Sequence, residues 1–134
     1  MYTALPQEAK DIRIEVFMKE QGFENEFDDI DDMSHHIVAF DEEKPIGTCR
    51  FFLENDHYTI GRVAVLKEYR NQHIGNLLLE SAEKEIKKLN GALIVVHAQV
   101  RVSPFYEKQG YIQFGQIDDD EGVPHMWMKK RIQH

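Results

Sequence analysis

The sequence predicts an α/β (α+β) fold: a mixed, mostly antiparallel sheet flanked by helices on both faces. Three observations predict it. Between Ile37 and Leu66 lie three short runs rich in strand-forming residues, joined by connections too short for crossovers, so these strands are antiparallel neighbours. From Ile74 to Leu89 the apolar pattern takes a helical period. A further β-rich run, Leu93 to His97, follows that helix, and a right-handed crossover makes it parallel to the strand before.

Taken in order, Pro6 sits where a first helical turn tolerates proline, and Ala9, Ile12, Val16 and Phe17 keep helical spacing until Gly22. That predicts a first helix over about Gln7 to Gln21. Six acids crowd Glu24 to Asp32 around Phe27 and Ile30, a loop or short helical turn. Ile37 to Phe40 and Thr48 to Leu53 form a hairpin about the turn residues Asp41 to Pro45, and His57 to Leu66 is the third strand. In the next helix Ile74, Leu77, Leu78, Ser81, Ala82, Glu85, Ile86 and Leu89 make one stripe. Glu80 with Lys84 and Glu83 with Lys87 are favourable pairs, and Asn90-Gly91 ends the helix. After the Leu93 strand, Ser103 is expected to cap a short helix with Pro104 at its first position, ending at Gly110. Tyr111 to Ile117 and His125 to Met128 close the sheet around an acidic loop, Asp118 to Gly122.

Length and composition set the bounds. A chain of 134 residues, 42% hydrophobic, with no repeat or low-complexity linker, is expected to form one domain of about 14 Å radius of gyration. Cys49 is the only cysteine, which excludes an intramolecular disulfide and favours a reducing compartment. The longest apolar run, Ala92 to Val96, is far short of a membrane span, and Met1 to Pro6 leads into Gln7 and Glu8 rather than a signal-peptide core. A cytoplasmic location is expected. Sixteen basic against 24 acidic residues give a charge of −8, which repels nucleic acid and acidic lipid. The same field favours a cationic small molecule or a basic peptide, so an anionic ligand must be held by local amides or a local basic group.

One such place is legible. Arg70-Asn71-Gln72-His73-Ile74-Gly75-Asn76 follows the strand Gly61 to Val65 and runs straight into the strongest helix. The start of a helix presents unpaired N–H groups and the positive end of the dipole, which suits a phosphate or pyrophosphate. Gly75 permits close approach of the backbone, and Arg70 adds a permanent charge with fork geometry.

Further along, Phe105-Tyr106-Glu107-Lys108-Gln109-Gly110-Tyr111 opens and closes the short helix. Together these two segments resemble the GNAT N-acetyltransferase superfamily, whose pyrophosphate loop has the pattern Arg/Gln-x-x-Gly-x-Gly/Ala after a Val-x-Val strand. More narrowly, Arg13-x-x-Val16-Phe17-x-x-Glu20-Gln21, Asp31-Asp32, His35, Ala98-Gln99 and Gly122-Val123-Pro124-His125 resemble its ElaA-like branch. Three departures stand out: His73 replaces the loop's first Gly, Gln99 replaces an Asn common in relatives, and Met1 to Leu5 is short for a first strand.

The resemblance implies a single acyl-CoA N-acyltransferase domain over residues 1–134, with a GNAT-like sheet carrying one splayed parallel pair. It implies that Val63, Ala64 and Val65 offer main-chain groups to the pantetheine arm of acetyl-CoA, as an added strand would. Residues Arg70, Asn71, Gln72, His73, Ile74, Gly75 and Asn76 take the pyrophosphate, with Gln99 and Phe105 also against the cofactor. Strands parting after Val65 and before Gln99 form the slot for the thioester. Tyr106 matches the family's proton donor to the departing thiolate.

Reference pKa values of about 10 for Tyr and about 8.5 for a thiol make full proton transfer uphill by roughly 2 kcal/mol, so Tyr106 is expected to act by a hydrogen bond or concerted transfer. An alkyl amine of pKa near 10.4 needs close to 5 kcal/mol of deprotonation at pH 7, so a base must help. Candidates are Glu20, His35, Glu54, Glu121 and His125, with Glu20, His35 and His125 ranked first on the resemblance. His35-His36 beside Asp31 and Asp32 fits no standard metal-ligand spacing, so no metal is expected. Cys49, in a strand without an adjacent His, is not expected to be a nucleophile. The expected activity is transfer of acetyl from acetyl-CoA to a small-molecule or peptide amine by direct attack. The alternatives are a non-catalytic acyl-CoA sensor or an interaction domain. A homodimer is allowed; the acid-rich loops 24–32 and 118–121 are compatible with a cationic acceptor, although charge runs are usually solvated faces.

Overall fold

In a computed structural model, which describes residues 2–23 and 27–132, the extended backbone at Pro6 leads into helix α1 (Gln7–Arg13). The helix continues as a π-helical segment, Ile14–Glu20, and the Gln21 N–H reaches back five residues to the Val16 carbonyl at 3.1 Å. Ala9, Ile12, Val16 and Phe17 are buried, as the helical spacing predicts, but the wider π turn was not legible in that spacing.

The three-strand meander is β1 (His35–Asp41), β2 (Lys44–Glu54) and β3 (His57–Val65), all antiparallel. Helix α2 (Ile74–Lys88) follows, then β4 (Leu93–Gln99), helix α3 (Ser103–Lys108), β5 (Ile112–Asp120) and β6 (Val123–Arg131). The sheet order is β1-β2-β3-β4-β6-β5, and β3 with β4 is its one parallel pair among the described residues. Tyr2 adds a single bridge to His36, and the described residues before Pro6 form no full strand.

The main core lies between the sheet and α2: Phe51, Ile60, Leu78, Leu79, Ala82, Ile86, Ile94, Val96 and Met128 are all buried. At about 1.5–3 kcal/mol per large apolar side chain, this face supplies most of the driving force for docking α2. The stripe is rotated slightly from its expected centre. Leu79 is buried, whereas Leu77 and Leu89 are about half exposed. A second cluster, Ile12, Val16, Phe17 and Ala64, holds the first helix against β3.

Gly91 ends α2 where its missing side chain is required. A Cβ there would fall on the Ile86 Cγ2 methyl and lie 2.8 Å from Tyr58 Cδ2. Gly91→Ala should therefore cost about 1–3 kcal/mol, seen as a lowered urea midpoint at unchanged slope.

Two sequence expectations are corrected. Ser103 does not cap α3: it is already helical (φ −55°, ψ −36°), because the turn Val100–Val102 feeds α3 directly, and a cap must stand outside the helix. The acidic stretch 118–122 is no loop. Asp118, Asp119 and Asp120 pair with His125, Pro124 and Val123, and only Glu121 and Gly122 turn the chain. Both have positive φ (50° and 82°), the combination whose twist matches a two-residue hairpin.

The acidic segment before β1 also departs from a solvated face. Residues 24–26 lie outside those described. Asp31, in the short turn Asp29–Met33, is 4% exposed and accepts Arg13 Nη1 at 2.7 Å and Arg50 Nη1 at 2.9 Å. Arg50 also holds Asp28 at 2.7 Å. These carboxylates are neutralised internally rather than offered to a ligand.

Candidate functional site

Strand β3 is ordered by two constraints that make it leave β4. Its pairing with β4 covers only Tyr58↔Ile94, Thr59↔Val95 and Ile60↔Val96. Beyond these, β3 stays bonded to β2 and β4 to β6. Cys49 on β2 faces both Arg62 and Val63 on β3, a bulge in which Arg62 takes a left-handed backbone (φ 51°). A bulge bends its strand, and the parting begins after Ile60 and Val96, earlier than the expected limits of Val65 and Gln99.

Two cavities open on either side of this gap. The larger, of about 600 Å³, is lined by Val63, Ala64, Val65, Arg70, Asn71, His73, Ile74, Gly75, Asn76, Phe105 and Tyr106. It therefore gathers most of the residues expected to hold the cofactor. Gln72 is not among its lining residues, and its side chain lies 3.5 Å from the Glu68 carbonyl. The smaller, about 140 Å³, is lined by His97, Ala98, Gln99, Asp120, Glu121 and His125, with Phe17, Phe23 and Arg62 opposite. Gln21, Val63, Arg101, Val102 and Tyr106 line both, so the two cavities meet at the mouth of the gap.

The loop entering α2 has a backbone that its sequence hides. His73 precedes the helix at φ 62°, ψ 23°, and Asn71 has φ 65°. His73 thus holds the left-handed conformation that glycine adopts freely. Gly75 lies against Phe105: a Cβ there would be 3.3 Å from the ring. Helix α2 supplies first-turn N–H groups that have no intrahelical acceptor.

Arg70 is less free than its sequence suggests. Its Nη atoms meet both oxygens of Glu20 at 2.6 and 2.7 Å, and its Nε donates to the Val65 carbonyl at 3.1 Å. The bidentate bond from Arg70 holds the Glu20 carboxyl below its ordinary pKa. Glu20 lines neither cavity; in this arrangement it ties the end of the first helical segment to Arg70 at the start of the 70–76 loop. Val65 likewise gives its carbonyl to Arg70 and not to a ligand. Arg101 and Lys108, which sequence reasoning missed, supply further positive charge to the larger cavity. Their signal was their position in the turn before the short helix and in its last turn.

Tyr106 is 7% exposed, and its ring packs edge-on against Phe105 and Tyr111. Burial, and secondarily Cys49, pushes its hydroxyl pKa up. The group is protonated at all working pH, as a hydrogen-bond donor must be. Cys49 is 1% exposed, with burial pushing its thiol up to about 12, so it carries no reactive thiolate.

The candidate bases are scattered. His35 stacks on Phe51 at 4.9 Å, on the far side of the sheet order from β4, and lines neither cavity. Glu54 is exposed near His57. His125 and Glu121 do line the smaller cavity. His125 is 6% exposed, and its Nδ1 is 2.8 Å from the Val123 carbonyl, a bond that places the proton on Nδ1 and leaves Nε2 as acceptor. Gln99, expected against the cofactor, instead lines the smaller cavity, where its amide donates to Gln21 Oε1 at 2.9 Å and accepts from Arg101. Among the described residues, no group of three His, Cys, Asp or Glu side chains is placed to hold a metal ion. Near His35 and His36, the Asp31 carboxylate is taken by the two arginines and its carbonyl by His36 Nε2.

The acetyltransferase (GNAT) domain family matches residues 5–132. The chain belongs to the GNAT family. Among its relatives, the uncharacterized N-acetyltransferase YjcF of Bacillus subtilis is 34% identical over 122 residues, 89% of this chain and 87% of YjcF. ElaA of Escherichia coli is 24% identical over 128 residues, 90% of this chain and 84% of ElaA, which bears out the resemblance to that branch. A Lactobacillus plantarum crystal structure superimposes with a TM-score of 0.91 at 30% identity, covering 99% of this chain and 97% of that one. An aminoglycoside 6'-N-acetyltransferase complexed with coenzyme A shares the fold at a TM-score of 0.79 and 18% identity, covering 96% and 91%. The mixed GNAT sheet with one parallel pair is thus the fold of this chain.

Proposed function

We propose that this GNAT protein transfers an acetyl group from acetyl-CoA to a primary amine by direct attack on the thioester. The observation that carries this reading is the junction of the two cavities at Tyr106, where parted strands separate a long cleft from a small acid- and histidine-lined one. In the cleft, main-chain groups of Val63 and Ala64 face no β4 partner and suit the amide-rich pantetheine arm. The N–H groups of residues 71–76, with Arg101 and Lys108, suit the pyrophosphate despite the net charge. The family kinship and the coenzyme A complex of a fold neighbour support the same donor.

The chemistry then balances without a covalent enzyme intermediate. The ammonium loses one proton to a base, its lone pair attacks the carbonyl carbon, and a C–N bond forms. As the C–S bond breaks, Tyr106 donates to the sulfur while accepting the remaining surplus proton from nitrogen. Because the buried phenol resists ionisation, this transfer is concerted.

Acetyl-CoA at a hundred times its dissociation constant should stabilise the protein by about 2.7 kcal/mol, read as a rise in Tm. No shift, together with no heat on titrating coenzyme A, would sink the proposal. Binding without transfer to any amine of a broad panel would instead favour an acyl-CoA sensor.

A further inference from the structure

At the smaller cavity, His97 is a lining residue and is bonded to a more exposed carboxylate that nothing in the sequence joins to it. His97 is on β4 and Asp118 on β5, with β6 between them, yet His97 Nε2 lies 2.7 Å from Asp118 Oδ1. The His97 ring is stacked on Trp127, with centroids 4.3 Å apart and planes at 21°, and its other neighbour is the His125 ring at 4.7 Å. Trp127 is directly opposite His97 in the sheet register, and His125 is directly opposite Asp118. The imidazole is thus fixed in plane by an aromatic face and in rotation by a carboxylate.

We propose that His97, oriented by Asp118, is the base that removes the proton from the acceptor's ammonium group, and that His125 positions the amine. This rests on the acetyl-transfer reading above. In neutral His97, the bond to Asp118 keeps the proton on Nε2 and leaves the Nδ1 lone pair as acceptor. The N–H bond of the ammonium breaks, the Nδ1–H bond forms, and the imidazolium is compensated at once by the Asp118 carboxylate. After turnover that proton leaves to water.

His125 is held differently. Its Nδ1 donates to the Val123 carbonyl, and no carboxylate is at hydrogen-bond distance from its ring among the described residues. A base that is itself oriented by a third group is the recurrent arrangement for activating a nucleophile. His97 has a carboxylate as its orienting group, whereas His125 has a neutral carbonyl. The other titratable or charged groups lining this cavity are Tyr106 on α3, Asp120 on β5, Glu121 in the turn, Arg62 on β3 and Arg101 after β4. Asp118 is the one at hydrogen-bond distance from His97 among the described residues.

The test follows thiol release from acetyl-CoA with a panel of primary amines, using the whole protein and its His97→Gln, Asp118→Asn, Asp118→Glu and His125→Gln variants. His97→Gln should lower kcat/KM by about 100-fold or more while acetyl-CoA affinity stays unchanged. Asp118→Asn should lower it by about tenfold and displace the acid limb of the pH–rate profile, because a neutral amide replaces the carboxylate bonded to the ring; Asp118→Glu should restore part of both. A merely structural role for Asp118 would not move the limb. His97→Gln with wild-type rate and profile overturns the assignment, as does loss of the acid limb in His125→Gln alone. Should a variant fail to fold, nitrogen NMR of the histidines in the wild type decides: a neutral His97 protonated on Nδ1 overturns it. A wild type that binds no acetyl-CoA, or binds it and acetylates no amine, overturns the enzyme reading and this role with it, whereas an active wild type matched by His97→Gln overturns this role alone.

Discussion

Tyr106→Phe should lower turnover about 100-fold while leaving the dissociation constant of acetyl-CoA within about twofold. The magnitude is the low end for removal of a positioned proton donor, since Tyr106 acts by sharing its proton and not by ionising. The ring itself is needed for packing against Phe105 and Tyr111, and Phe preserves both contacts. The hydroxyl makes no hydrogen bond to another described residue, so its loss strands no buried partner and folding should be nearly unaffected. Steady-state kinetics paired with calorimetry separate the two effects. Unchanged turnover would remove Tyr106 from the mechanism, and a parallel loss of affinity and rate would make it a binding residue.

Asp31→Ala should destabilise the fold by about 3–5 kcal/mol, the largest effect on stability expected of any single change here. It leaves the guanidinium of Arg13, 1% exposed, and that of Arg50, 4% exposed, without their shared carboxylate. Breaking a buried pair by removing one partner costs more than the pair contributes, because the surviving charges stay out of water. The pH dependence has a definite sign. Burial pushes the Asp31 carboxyl up, but Arg13 and Arg50 outweigh it and hold it below its ordinary value; Asp28 is lowered in the same way by Arg50 and Arg62. A carboxyl depressed in the folded state stabilises above its unfolded pKa of about 4, and that contribution is lost as pH falls through the folded value. Urea denaturation from pH 5 to pH 2 should therefore show stability falling with pH in the wild type and a flatter dependence in Asp31→Ala. A cost below 1 kcal/mol at pH 7 would refute the role of this network.

Much of the proposed cofactor side was legible because it is local. The loop from Arg70 to Asn76, the helix it feeds and the Phe105-Tyr106 pair are each contiguous, and a short peptide pattern is enough to mark them. The proposed acceptor side was not. Glu20 ranked among the bases on its neighbours in sequence, but its actual partner is Arg70, 50 residues away. His97 reads as one more residue of a β-rich strand, and its partner lies 21 residues on, across an intervening strand. The acidic run near Asp31 reads as a wet surface until Arg13 and Arg50 close over it.

The sequence by itself determined the order of elements, the antiparallel meander, the parallel crossover and the anion-suited start of α2, because hydrophobic period and turn chemistry act over a few residues. Only the tertiary structure decided which charges are spent on one another and which still face a cavity. An ion pair or an Asp–His bond depends on where distant strands and helices are placed by burial of the core, and no local pattern carries that distance. It was the sheet order that set Asp118 beside His97, and the closure of the first helix over β3 that set Glu20 on Arg70.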